Sequence, residues 1–141
     1  MKFFFHENSV ASKALFARIA AACEGLVYVS ETDSPVTAFA GEVTDRLDKE
    51  TILHHSGRNS GEPVSEITFD DFFGRLTAIK EWYGERETER AKKFLELQKL
   101  LEEDLRELKV FKVGNIRVDI FAAGIDKEGY LMGVTAKAVE T

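Results

Sequence analysis

The chain has 141 residues, enough for one domain (1–141) with a sizeable core, and its 25 acidic against 19 basic side chains leave a net charge of −6. That balance argues against direct nucleic-acid binding, which needs a surface that neutralises phosphates, and fits either plain solubility or a basic protein partner. A lone cysteine, Cys23, excludes an intrachain disulfide and makes a reducing, cytoplasmic setting the default, and no run approaches the ~20 apolar residues of a membrane span.

Met1 to Asn8 reads as a short extension, because Phe3–Phe5 is too short for a signal-peptide core. Ser9 is placed to cap a helix over 10–23, whose apolar residues Val10, Ala14, Leu15, Ile19, Ala22 and Cys23 share one stripe. Gly25 stops it. A short strand over 26–30 follows, then a turn over 31–35 built from Asp33, Ser34 and Pro35. Residues 36–44 read as a strand with a bulge at Gly41. Residues 45–53 fit a short helix, and 54–63, with Gly57, Asn59, Gly61 and Pro63, a loop.

Residues 64–69 read as extended, and Asp70 opens a short helix carrying Phe72, Phe73 and Leu76 inward. The strongest helical pattern runs from 87 to 108. Ala91, Phe94, Leu95, Leu101, Leu105 and Leu108 mark its apolar side, widened by Leu97, and charged residues cover the rest. The stripe is too short and wide for a coiled-coil seam. Strands over 110–113, 116–123 and 130–139 then form an antiparallel meander, with Ile116, Val118 and Ile120 alternating against Arg117, Asp119 and Phe121.

Sequence signals for catalysis are weak. His54 and His55 are adjacent, whereas zinc ligands need spacing that converges on one point. Glu66, Asp70 and Asp71 offer carboxylates for acid–base work, but a helix cap explains Asp70 equally well. The segment 57–61 lacks the Lys-Ser/Thr of a phosphate loop. More informative is the end of the chain. Its strand pattern runs on to the final residue, where most domains end in loose polar residues. Glu140, the Thr141 hydroxyl and the terminal carboxylate are then fixed oxygen ligands, able to plug a cation site on another protein.

Four segments together resemble the cyanobacterial nuclease A inhibitor family: Gly25-Leu-Val-Tyr-Val-Ser-Glu-Thr-Asp-Ser-Pro35, Phe72-Phe-Gly-Arg75, Glu81-Trp-Tyr83, and Gly133-Val-Thr-Ala-Lys-Ala-Val-Glu-Thr141. The resemblance covers nearly everything from Ser9 onward. It implies an α/β (α+β) fold, a three-layer α/β/α sandwich around a largely antiparallel sheet. It implies no enzyme activity, but inhibition of a Mg²⁺-dependent, sugar-non-specific DNA/RNA nuclease of the ββα-metal class in a 1:1 complex. A monomer is the default, because an inhibitor that dimerised through its binding face would compete with its target. By the resemblance, Glu31 and Thr141 reach the nuclease's divalent cation, and Glu81 and Trp82 lie at the interface. Two such ligands do not make a site, so the chain is expected to hold no ion or cofactor of its own. Ser34 and Gly84-Glu85-Arg86 depart from the family pattern on the expected contact surface. They motivate an alternative, a protein-interaction or immunity-type domain with a different, non-nuclease partner.

Overall fold

A computed structural model describes Phe5, His6 and residues 8–140. In chain order its elements are α1 (Val10–Cys23), β1 (Val27–Val29), β2 (Asp33–Pro35), β3 (Thr37–Val43), α2 (Lys49–Ser56), β4 (Val64–Ile67), α3 (Phe69–Thr77), α4 (Glu85–Asp104), β5 (Arg106–Val113), β6 (Arg117–Ile125) and β7 (Tyr130–Val139). Five strands form one antiparallel sheet in the order β3-β7-β6-β5-β4, and β1 pairs with β2 in a separate hairpin.

The period-two alternation of the last three strands sorts their side chains between two faces. Val110, Val118, Ile120, Ala122, Met132 and Val134 face Leu15 and Ile19 of α1, Phe73 of α3, and Phe94, Leu97 and Leu101 of α4. Phe111, Val113, Phe121, Ala123, Ile125 and Leu131 face the other way, onto Leu47 and Ile52 beside and within α2. The result is the expected mixed α/β architecture with an antiparallel sheet between helical layers. The second layer is thin, a single eight-residue helix. β6 and most of β7 are therefore buried on both sides.

Turn chemistry sets the meander. The Asp126 carboxylate accepts from the backbone N–H groups of Glu128 (3.0 Å) and Tyr130 (2.9 Å), which folds the β6–β7 turn. At the β5–β6 turn Gly114 has φ 109°, and a Cβ there would lie 2.3 Å from the Arg117 carbonyl oxygen. The bulge expected at Gly41 appears as a register shift between Ala40 and Val43 in the β3–β7 pairing.

Several boundaries differ from the sequence reading, each for a tertiary reason. Ser9 makes no side-chain cap to α1. Its hydroxyl lies 3.0 Å from that of Tyr130, and Glu128 caps the helix instead, accepting from the Ser12 N–H (2.9 Å) and hydroxyl (2.6 Å). Phe5, expected in an appended segment, is 9% exposed and packs edge-on against Phe16 and Tyr130. Asp33–Pro35 is a strand, with the turn confined to 30–32. α2 is capped by Asp48 and runs through His54 and His55, which are not in a loop. Thr68, not Asp70, caps α3. Leu97 is fully buried on α4 while Leu95 is 40% exposed. That helix ends at Asp104, because Arg106 onward is taken into the sheet opposite β6.

Candidate functional site

The bend between β1 and β2 carries Glu31 at its tip. Ser30 closes it, its backbone N–H (3.0 Å) and hydroxyl (2.9 Å) both donating to the Thr32 carbonyl oxygen. Glu31 is exposed. This hairpin lies along the outer edge of β7. β3 covers that edge only as far as the Thr37–Thr135 pair. Beyond it, the Lys137 N–H donates to the Ser34 hydroxyl (3.0 Å) and the Val139 N–H to the Ser30 hydroxyl (3.2 Å). On the other side, the Glu140 N–H donates to the Ile116 carbonyl oxygen (2.9 Å). Glu31 and Glu140, 109 positions apart in sequence, are thus carried by backbone segments that meet at one end of the sheet. Thr141 lies outside the described residues.

The Glu140 carboxylate is engaged by the Lys112 ammonium at 2.6 Å, with the lysine side chain 20% exposed. A partly buried pair at this distance ties the residue that follows β7 to β5 and limits how freely Glu140 can turn to a partner. Tyr28 stacks on Phe72 at 6.0 Å and so ties β1 to α3. Burial pushes its hydroxyl above the ordinary tyrosine range, with Lys112 opposing, Glu140 reinforcing and Arg75 opposing that shift.

Glu81 and Trp82 sit in the connection between α3 and α4, both exposed. Trp82 is 73% exposed, edge-on to Tyr83 at 4.7 Å, with the Lys80 ammonium 5.8 Å from its ring centre. A core role for Trp82 is therefore excluded, and Ile79 of the same connection is also exposed. Sequence reasoning missed the exposed apolar residues that flank these positions, Ile79 in the same connection, Val29 next to the Glu31 bend and Ile116 beside Glu140, and Val10, expected on the apolar stripe of α1, is exposed as well. Ile116 has the alternation of an inward residue, but it falls in the turn before β6.

The other sequence candidates do not assemble a reactive centre. His55 packs on Phe39 (4.9 Å) and Phe121 (6.0 Å), and burial, then the charge of His54, lowers its pKa. Among the described residues no group of three or more His, Cys, Asp or Glu could hold a metal ion. No helix among them is long and apolar enough to cross a membrane. The Cys23 thiol is buried and pushed up to about 12 by desolvation, far from a reactive thiolate. A concavity of about 630 Å³ between α1 and the hairpin has an apolar lining in which Cys23 and Glu24 are the titratable side chains.

A family model described as "Nuclease A inhibitor-like protein" matches residues 13–141. The matched stretch takes in Glu31, Glu81, Trp82, Glu140 and Thr141. No curated protein matches the chain.

Proposed function

The chain belongs to the nuclease A inhibitor-like family, and from that membership we propose that it blocks a Mg²⁺-dependent, sugar-non-specific nuclease of the ββα-metal class by plugging its active site. Membership carries nuclease inhibition, and a nuclease partner, in general terms. Mg²⁺ binds oxygen ligands and keeps exchangeable waters. The nuclease uses that ion to polarise the scissile phosphate. The Glu31 carboxylate and the oxygens of Thr141 would replace water and phosphate oxygens on the partner's ion, so the inhibitor needs no ion of its own.

The observation that supports this reading is the Ser30–Val139 hydrogen bond, which sets the Glu31 bend against a strand residue two positions before Thr141. Exposed Trp82, with Ile79 and Glu81 on the same connection, suits a rim contact, because an aromatic anchor desolvates a large area. The net charge of −6 favours encounter with a basic, nucleic-acid-binding cleft.

The test is DNA hydrolysis by a ββα-metal nuclease titrated with the protein. The parent should inhibit at a 1:1 ratio. Glu31→Gln, and a version with residues appended after Thr141, should each require a large excess. If both variants inhibit as the parent does, the plug mechanism is wrong.

A further inference from the structure

We propose that Ser30 and Ser34 are positioning residues, whose hydroxyls form a clasp that fixes the Glu31 bend to the end of β7. The inference rests on the inhibitor reading for its consequence, but on geometry for its substance. β7 is an interior strand while β3 lies beside it, and its register with β3 stops at Thr135. The next edge-facing N–H groups, Lys137 and Val139, follow at the two-residue spacing of a strand. Each meets a serine hydroxyl where a neighbouring strand would otherwise present a carbonyl. Each hydroxyl also donates onward, Ser34 to the Pro35 carbonyl oxygen at 3.4 Å and Ser30 to that of Thr32 at 2.9 Å.

The hydroxyls are therefore inserted into the ladder as bridges between hairpin and strand. The insertion suits the chain here, because Pro35 offers no N–H to return to β7. Ser34 is 7% exposed, so its hydroxyl faces β7 and not solvent. This gives a physical role to a residue that departs from the family pattern. Ser34 serves the inhibitor from within.

Without the clasp the hairpin keeps the Tyr28–Phe72 stack and, at the end away from the bend, the Val36 N–H bond to the Leu26 carbonyl oxygen (2.9 Å). The Glu31 tip would then sample positions away from the end of β7. Affinity falls by the fraction of time that the binding geometry is populated.

The experiment compares the parent with Ser30→Ala, Ser34→Ala, the double variant and Ser30→Thr. Two readouts are taken: amide hydrogen exchange at Lys137 and Val139, and the dissociation constant with a ββα-metal nuclease. The clasp predicts faster exchange at Val139 in Ser30→Ala and at Lys137 in Ser34→Ala, with the amides of β6 unchanged. It predicts about ten-fold weaker binding for each alanine variant, the scale expected when a half-buried N–H loses its acceptor. Ser30→Thr, which keeps the hydroxyl, should restore both readouts. Unchanged exchange at both amides would overturn the clasp. Faster exchange with unchanged affinity would overturn its role in positioning Glu31 and leave the inhibitor reading standing. A parent that does not inhibit would overturn the inhibitor reading and with it the positioning role, while the exchange arm would still decide whether the clasp exists.

Discussion

Replacing Ser12 by alanine should destabilise the protein in a way that depends on pH. Ser12 is fully buried in the first turn of α1, and its single hydroxyl proton is shared between the carboxylates of Asp126 and Glu128, both within hydrogen-bond distance. Asp126 is 2% exposed and would keep its two backbone donors after the substitution, but lose the hydroxyl. Hydrogen bonds to charged groups contribute about 1.5–3 kcal/mol, so a loss of about 2 kcal/mol is expected at neutral pH. With an unfolding entropy of about 0.3 kcal/mol/K for a chain of 141 residues, that corresponds to a fall in Tm of about 7 °C.

The pH dependence follows from Glu128. The Ser12 hydroxyl, and then the Ser12 N–H, hold its carboxyl below the ordinary range. A carboxylate whose folded pKa is lowered contributes stability that is fully present above its unfolded pKa of ~4.3. That contribution is lost as pH falls through the folded pKa. Removing the hydroxyl removes the largest cause of the shift, so the Tm gap between parent and variant should narrow as pH falls below the unfolded value. Circular-dichroism melts at a series of pH values measure this directly. A gap below about 2 °C at neutral pH, or one that stays constant down to acid, would refute the assignment of Glu128 as the cap supplied from the β6–β7 turn.

Gly133→Ala should be far more damaging, since a Cβ at this position would lie 2.1 Å from the Ala122 carbonyl oxygen and 2.8 Å from the Ala123 Cα, both backbone atoms of the central strand. A loss above ~3 kcal/mol is expected from denaturant melts. Gly74→Ala, on helix α3 with nothing within 4 Å, should instead gain about 0.5–1 kcal/mol, and equal effects at the two glycines would contradict the packing described. His55 should make α2 open more readily in mild acid. Its folded pKa is lowered, so the stability it carries as a neutral ring is present above its unfolded value of ~6.5 and is lost as pH falls through that value toward the folded one. Exchange at the Ile52 and Leu53 amides, corrected for intrinsic rates, should rise across that window in the parent and not in His55→Phe. Trp82→Ala should leave stability within about 0.5 kcal/mol yet weaken a nuclease complex by ~2 kcal/mol or more, and a fall in stability without loss of binding would place this residue in the scaffold.

Features that depend on local patterns were legible in the chain before any packing is considered. The helix over Val10–Cys23 and the final strand over Tyr130–Val139 occur within the expected limits, because helical spacing in one and alternation in the other leave little competition. The stop at Gly25, with φ 73°, follows from a backbone conformation that glycine adopts freely, and the register shift beside Gly41 falls where the sequence places a bulge. Four short motifs, spread along the chain, were enough to indicate the family.

Tertiary structure decided whatever depended on partners distant in sequence. Leu105 and Leu108 continue the helical stripe of α4, yet pairing with β6 claims the chain from Arg106, since sheet hydrogen bonds and two-sided burial outweigh weak local propensity. Ser9 has the chemistry of a cap, but Glu128, brought to α1 by a turn more than a hundred residues later, performs it. His54 and His55 lie next to Gly57 and so resemble a loop, whereas Asp48 starts a helix early enough to hold them and Phe39 and Phe121 pack on the second ring. Local patterns also gave no sign that two serine hydroxyls would bridge a hairpin to the exposed edge of β7. That placement exists because β3 ends its pairing at Thr135 and leaves two backbone donors that the strand ladder does not satisfy and the serine hydroxyls do.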